Sequence, residues 1–259
     1  MFWEHLEPNI TDRLQAAVDH AYAVFGKYTL GGVIAHCDCS VCMTRETATQ
    51  LSKLPLREIS SGLLGEYTNS AHGYDRDIVE PEFKHFLPRY FDLIAHCQPP
   101  SPLCIETCLD RLGTAGYREN WPDEECNAID SFFEAFLQAS IEQTALEIWP
   151  TGLHLVMDLG EVLTMTVRAG GDLDAALEVF DKAADPAAAL HMAAMRSDLG
   201  VRDGKAWYHQ EHLNDYPNAS PAIGQFLTRG SVTQRIGNAI DLLADPDYDN
   251  VLDGGLLLS

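Results

Sequence analysis

The stretch Asp123-Glu124-Glu125-Cys126-Asn127-Ala128-Ile129-Asp130-Ser131-Phe132-Phe133-Glu134-Ala135-Phe136-Leu137-Gln138-Ala139-Ser140-Ile141-Glu142 sets the fold class. Cys126, Ile129, Phe132, Phe133, Phe136, Leu137 and Ile141 recur at intervals of three and four, so a helix gathers them on one side. Asp123, Asn127, Asp130, Glu134 and Gln138 fall opposite. An apolar face this rich must be covered, and the flanking sequence supplies helices to cover it.

Upstream, the spacing of Leu14, Ala17, Val18, Ala21, Val24 and Phe25 predicts a helix over 9–25, with Thr11 as its cap and Gly26 as its end. Thr44 opens a short helix to Leu51. Ile59, Leu63, Leu64, Tyr67 and Ala71 predict another, closed by Gly73. A helical pattern covers 81–97, and Pro88 inside it predicts a break or kink. A short helix is expected over 103–112. Downstream, helices are expected over 151–168, 173–183, 186–199, 220–228 and 231–244. Tyr28 to Ala35 places Gly31-Gly32 between two short β-prone runs, which reads as a tight hairpin. The expected fold is mainly α, a multi-helix bundle or irregular helical stack with one short β-hairpin near residues 28–35. No fixed-period repeat is present. Residues 1–259 read as one helical unit, with possible seams at 98–102 (Gln98-Pro99-Pro100-Ser101-Pro102) and 149–152.

Composition narrows the function classes. The chain has 259 residues, 46% hydrophobic and 22% charged, an ordinary globular balance. Its 39 acidic residues against 17 basic ones give a net charge of −22, which argues against direct binding to nucleic acid or anionic lipid. The acidity is uneven: residues 119–167 hold ten acids, residues 236–259 hold five, and neither stretch has a Lys or Arg. Such faces are usually just solvated, and can also attract a basic protein partner. The N-terminal Met-Phe-Trp-Glu-His-Leu-Glu lacks the charge pattern of a signal peptide, and no run of about 18 apolar residues occurs, so a cytoplasmic protein without a membrane span is expected. Seven cysteines, an odd number, favour metal ligands or buried thiols over a disulfide framework.

There is no P-loop, dinucleotide fingerprint, G-x-S-x-G elbow or H-E-x-x-H helix. Cys37, Cys39 and Cys42 form a C-x-C-x-x-C arrangement directly after the expected hairpin. Three thiolates within six residues suit one tetrahedral zinc-like ion. His36 is adjacent to Cys37 and points the other way on an extended segment. A fourth ligand from elsewhere is easier, with His72, His96, Cys97, Cys104 and Cys108 as candidates. The alternatives are ordinary thiols or a redox pair. Cys104-Ile105-Glu106-Thr107-Cys108 would put two sulfurs on one helix face, although small buried core residues are the simpler reading. His209, His212 and Asp215 can be drawn as a two-His-one-carboxylate set, against a plain surface role. Tyr67, Asn69, Ser70, His72 and Tyr74 form a polar group at a helix end, suited more to satisfying backbone groups than to catalysis. Asp245 to Asp253 starts like a calcium loop but has Asn250 at the glycine position and Leu256 at the glutamate position. It reads as a solvated acidic segment.

The leading expectation is a cytoplasmic, acidic helical interaction protein, of inhibitor or immunity type, with a structural zinc site near Cys37, Cys39 and Cys42. A metal-dependent enzyme is the main alternative, and a thiol redox sensor the second. Coordination separates the first two: four protein ligands close a structural site, whereas three plus water leave one open for chemistry.

Overall fold

Side-chain caps start several helices close to where the sequence places them. The Thr11 hydroxyl accepts the Leu14 N–H at 3.1 Å, and helix α1 runs Asp12–Phe25. Thr44 and Ser60 accept the N–H groups of Thr47 and Leu63, opening α2 (Arg45–Leu51) and α3 (Ser61–Thr68). The computed structural model describes residues 6–257 except 33, 37, 38, 40, 71–77, 102–103, 150–151, 185 and 244–245. The next elements are α4 (Val79–Ala95), α5 (Asp110–Ala115), α6 (Tyr117–Asn120), α7 (Asp123–Ile141), strands β1 (Leu146–Trp149) and β2 (Gly152–Leu155), and α8 (Leu159–Arg168). They are followed by α9 (Leu173–Lys182), α10 (Pro186–Arg196), strands β3 (Leu199–Arg202) and β4 (Lys205–Tyr208), α11 (Ala219–Leu227), α12 (Gly230–Leu243) and α13 (Pro246–Leu257). Short 3-10 turns occupy 56–58, 105–107 and 211–213. The fold is mainly α, as the periodicity predicts.

The core is continuous from Leu6 to Leu252. α1 packs on both α4 and α7, while α8 and α9 also contact α7. Phe132 is fully buried and stacks on Phe91 of α4, with ring centroids 4.0 Å apart and planes 9° apart. It also stacks on Phe136 at 5.7 Å. In the second half, α10 packs against α12 and α13, and α11 lies on β4.

Hairpins form elsewhere than at Gly31-Gly32. Both sheets are two-stranded and antiparallel: β1 with β2, pairing Leu146 with Leu155, and β3 with β4, pairing Leu199 with Tyr208. Among the described residues of 28–35 none is in a strand. Their backbone is taken up by α4: the Ala35 N–H donates to the Glu82 carboxylate at 2.9 and 3.1 Å, and His85 Nδ1 lies 2.8 Å from the Tyr28 carbonyl. The second hairpin turns on Asp203 (φ 52°) and Gly204 (φ 74°), the two positive φ angles of a type I′ turn.

Three other expectations change. Residues 152–155 are strand, so the expected 151–168 helix begins only at Leu159, where Asp158 accepts the Gly160 N–H at 2.7 Å. α4 runs through Pro88 as one helix, so the break that Pro88 could have caused does not occur; the proline removes one main-chain donor but leaves the flanking apolar face packed. The segment after Asp245 is helix α13, because Leu252 inserts into the core and Tyr248 donates to the Thr144 carbonyl at 3.1 Å. The 149 and 152 seam positions are the ends of β1 and β2.

Two buried groups give measurable consequences. Phe132→Ala should cost about 3–5 kcal/mol, since truncating a fully buried aromatic ring opens a cavity in the stack; an unchanged denaturant midpoint would show that the stack does not hold the helices together. His191 on α10 is 1% exposed, with Nε2 unpartnered. Burial lowers its pKa from 6.5 to about 4, against the pull of its bonds to the backbone of Gln143 and Ile141. The unfolded chain therefore takes up a proton that the folded chain refuses. The stability present above pH 6.5 should fall by about 3 kcal/mol as pH drops to 4. Equilibrium unfolding of wild type against His191→Asn across that range reads the difference, which should flatten in the variant.

Candidate metal centre

The 3-10 turn 105–107 follows Cys104, whose backbone is extended (φ −163°, ψ 148°). That geometry separates two cysteines which a continuous helix would have aligned. Cys108 turns into the core, with its Sγ 3.9 Å from the Met165 sulfur. Cys104 stays half-buried, its sulfur 3.3 Å from the Thr107 hydroxyl. Glu106 on the same turn is 5% exposed, and its Oε2 has no hydrogen-bond partner.

His212 reaches this place from the other half of the chain. After β4 the backbone forms the 3-10 turn 211–213, with Leu213 buried beneath it. The ligand atoms of Cys104, Glu106 and His212 all lie within 4.8 Å of one another, the one such convergent group of His, Cys, Asp or Glu side chains among the described residues. Donors on a tetrahedral zinc stand about 3–4 Å apart, so the three lie near the spacing that one ion would impose.

The electrostatics favour a cation. Burial pushes the Cys104 thiol above its ordinary pKa, and the Glu106 charge adds to it. Burial, followed by the charges of Asp158, Asp198, Glu161 and Glu106, holds the Tyr208 hydroxyl well above its usual range. Asp158 is raised by desolvation and, further down, by Glu106. A bound cation reverses that balance, because it stabilises a thiolate and a carboxylate at once. Arg168, which interacts electrostatically with Cys104, is already paired: its Nε and Nη2 donate to the two Asp110 oxygens at 2.8 and 2.5 Å.

Comparison with protein-family models, curated proteins and solved structures gives no match to this chain. The centre therefore rests on its own geometry.

Of the cluster expected from sequence, Cys37 and His72 lie outside the described residues. Cys39 is exposed and Cys42 half-buried, while His36 places its Nδ1 3.1 Å from the Ile34 carbonyl. Cys97 is buried, with its thiol pushed up to about 11 by desolvation and then by Glu7. His209 is exposed and separated in role from His212, which alone joins Cys104 and Glu106. In the sequence Cys104 and His212 belong to two separate candidate groups, and Glu106 belongs to neither. Its one local clue is a carboxylate between two cysteines in an otherwise apolar, core-forming stretch.

A groove of about 620 Å³ between α7 and α9 is another concave feature, and its charged walls are internally paired. Arg13 meets Glu134 at 2.6 Å, Arg118 meets Asp130 at 2.7 Å, and Lys182 meets Glu178 at 2.7 Å.

An unpartnered buried carboxylate oxygen costs stability when no ion is bound. Glu106→Leu should accordingly raise the stability of the metal-free protein by about 1–3 kcal/mol. A lowered urea midpoint for this variant after chelation would show that the carboxylate is already satisfied.

Proposed function

We propose that the protein binds a divalent metal ion through Cys104, Glu106 and His212. The observation that carries this is the convergence of a thiol, a buried carboxylate and an imidazole from two distant chain segments, with one oxygen of that carboxylate lacking a hydrogen-bond partner. The mixed sulfur, oxygen and nitrogen set suits zinc, a borderline-soft ion that accepts all three. Three protein ligands leave a position for water, the coordination of a reactive centre rather than of a closed structural one. That count favours the metal-dependent enzyme over the structural zinc expected at Cys37, Cys39 and Cys42. When bound, the ion would supply Lewis-acid activation of a water or a carbonyl. The protein's own residues would hold the ion at the seam between residues 104–106 and 211–213, linking distant parts of the chain.

A second reading draws on the charge. A net charge of −22, with two long stretches lacking any Lys or Arg, supports an acidic protein that meets a basic protein partner, as an inhibitor or immunity protein would. Several acids of α7 are already engaged within the protein: Tyr117 and Arg118 hold Asp130, Arg13 holds Glu134, and Asn9 holds Glu142 at 2.9 Å. Such a partner would meet the remaining acids.

Cobalt titration of the chelated full chain tests the metal reading, because a thiolate–cobalt absorption band reports sulfur ligation. One equivalent should bind and raise the melting temperature, with a stabilisation of about 2.7 kcal/mol at a hundredfold excess over Kd. Cys104→Ser should abolish the band and Glu106→Gln should weaken binding. A band lost in Cys39→Ser but kept in Cys104→Ser would move the site to the cysteine cluster at 37–42 and overturn this assignment.

A further inference from the structure

The two halves of the metal centre come from separate chain segments, and one side chain touches both. Arg168 is the last residue of α8. Its Nε and Nη2 grip Asp110, the first residue of α5, just beyond the turn that carries Cys104 and Glu106. Its Nη1 donates to the main-chain carbonyl of His212 at 2.8 Å. One guanidinium therefore spans the gap between the ligand segments.

The Arg168 backbone is seated just as firmly. Its carbonyl accepts the Tyr216 hydroxyl at 3.3 Å, which ties down the chain beyond His212. The same carbonyl lies against Gly113 of α5, where a Cβ would come within 2.0 Å of the oxygen. Only a glycine permits that approach. Both the α5 side and the 211–216 side are thus fastened to a single residue, through its side chain and through its main chain.

The charge arrangement allows this without repelling an ion. Asp110 neutralises the guanidinium, so a cation at Cys104, Glu106 and His212 faces a neutral pair instead of a bare positive charge. The planar fork also explains the residue type. It makes two parallel bonds to a carboxylate and keeps a third N–H for the carbonyl, whereas a lysine ammonium is a point charge that cannot reproduce the set.

We infer that Arg168 is the positioning residue of the centre, setting the gap across which Cys104, Glu106 and His212 meet an ion. The inference rests on the metal reading above. Arg168 does not touch the ion; it acts through the backbone of His212 and through Asp110, at the start of α5 beyond the turn that carries Glu106. Groups that orient metal ligands typically change affinity by 10- to 100-fold when removed.

Cobalt binding to the full chain tests this in wild type, Arg168→Gln, Arg168→Lys and Asp110→Asn, with circular dichroism of each metal-free protein as the folding control. The expected result is helical content unchanged, cobalt affinity about 10- to 100-fold weaker in Arg168→Gln, and incomplete rescue by Arg168→Lys. The thiolate–cobalt band should keep its shape at saturation, because the ligands are the same. A residue that merely supports the fold would lower the melting temperature of the metal-free protein and leave the affinity of the folded fraction untouched. Should Arg168→Gln fail to fold, Asp110→Asn keeps the guanidinium and weakens only its grip on the α5 side, and must still weaken binding. Wild type that binds cobalt while all folded variants match it within twofold overturns the role of Arg168 alone. Wild type that shows no band dependent on Cys104 overturns both this inference and the metal reading.

Discussion

Phe132 lies between Phe91 and Phe136, one ring 4.0 Å away and the other 5.7 Å, all three nearly parallel. This stack joins α4 to α7, and α1 packs against both. Because α7 also buries side chains toward α8 and α9, its position determines theirs. The end of α8 in turn carries Arg168, which reaches Asp110 and His212. An aromatic contact in the core is thus connected to a polar site at a distance through a continuous run of packed helices, and close-packed side chains transmit displacement rather than absorb it.

Two buried glutamates show how a chain poor in cations distributes them. Glu125 is fully buried and receives Lys27 at 2.7 Å, Lys84 at 2.9 Å and the Tyr28 hydroxyl at 2.6 Å. Desolvation pushes its pKa up, but those contacts outweigh it and hold the carboxyl below the usual range. The Lys84 ammonium also sits 4.1 Å from the Trp121 ring. Glu106 is buried to a similar degree, and among the described residues no Lys or Arg pairs with it. Removing a charge from water costs several kcal/mol unless something compensates. At Glu125 the compensation is two lysines; at Glu106 an external cation would serve. The contrast between the two carboxylates is the physical basis for reading one as structure and the other as a site.

Acidic residues on α7 play a further part. Glu134 with Arg13 and Glu142 with Asn9 fasten α1 across α7, while Asp130 binds Tyr117 and Arg118 beside α6. The pairs are partly exposed, so each contributes up to about 1 kcal/mol. They align helices already held by apolar burial. The helix that reads as an acidic outer face is therefore partly an inner seam, and the surplus negative charge lies on the acids these pairs leave over.

The sequence by itself determined the helices. Apolar spacing predicted α1, α7, α9 and α12 closely, because amphipathic periodicity and capping by Thr11 or Asp172 act within a few residues. It also determined the core role of Phe132, Phe133 and Phe136. The strands were less legible: Asp203-Gly204 carries a two-residue turn signal and closes a hairpin, whereas Gly31-Gly32 carries a similar one and no described residue of 28–35 joins a ladder, the backbone there being taken up by Glu82 and His85 of α4. Tertiary structure alone decided the candidate site. Cys104 and His212 each had a local reading, but neither spacing nor periodicity could bring them together. They meet where α8 packs against the 105–107 turn and Arg168 bonds the His212 carbonyl, and contacts of that kind join residues far apart in the chain.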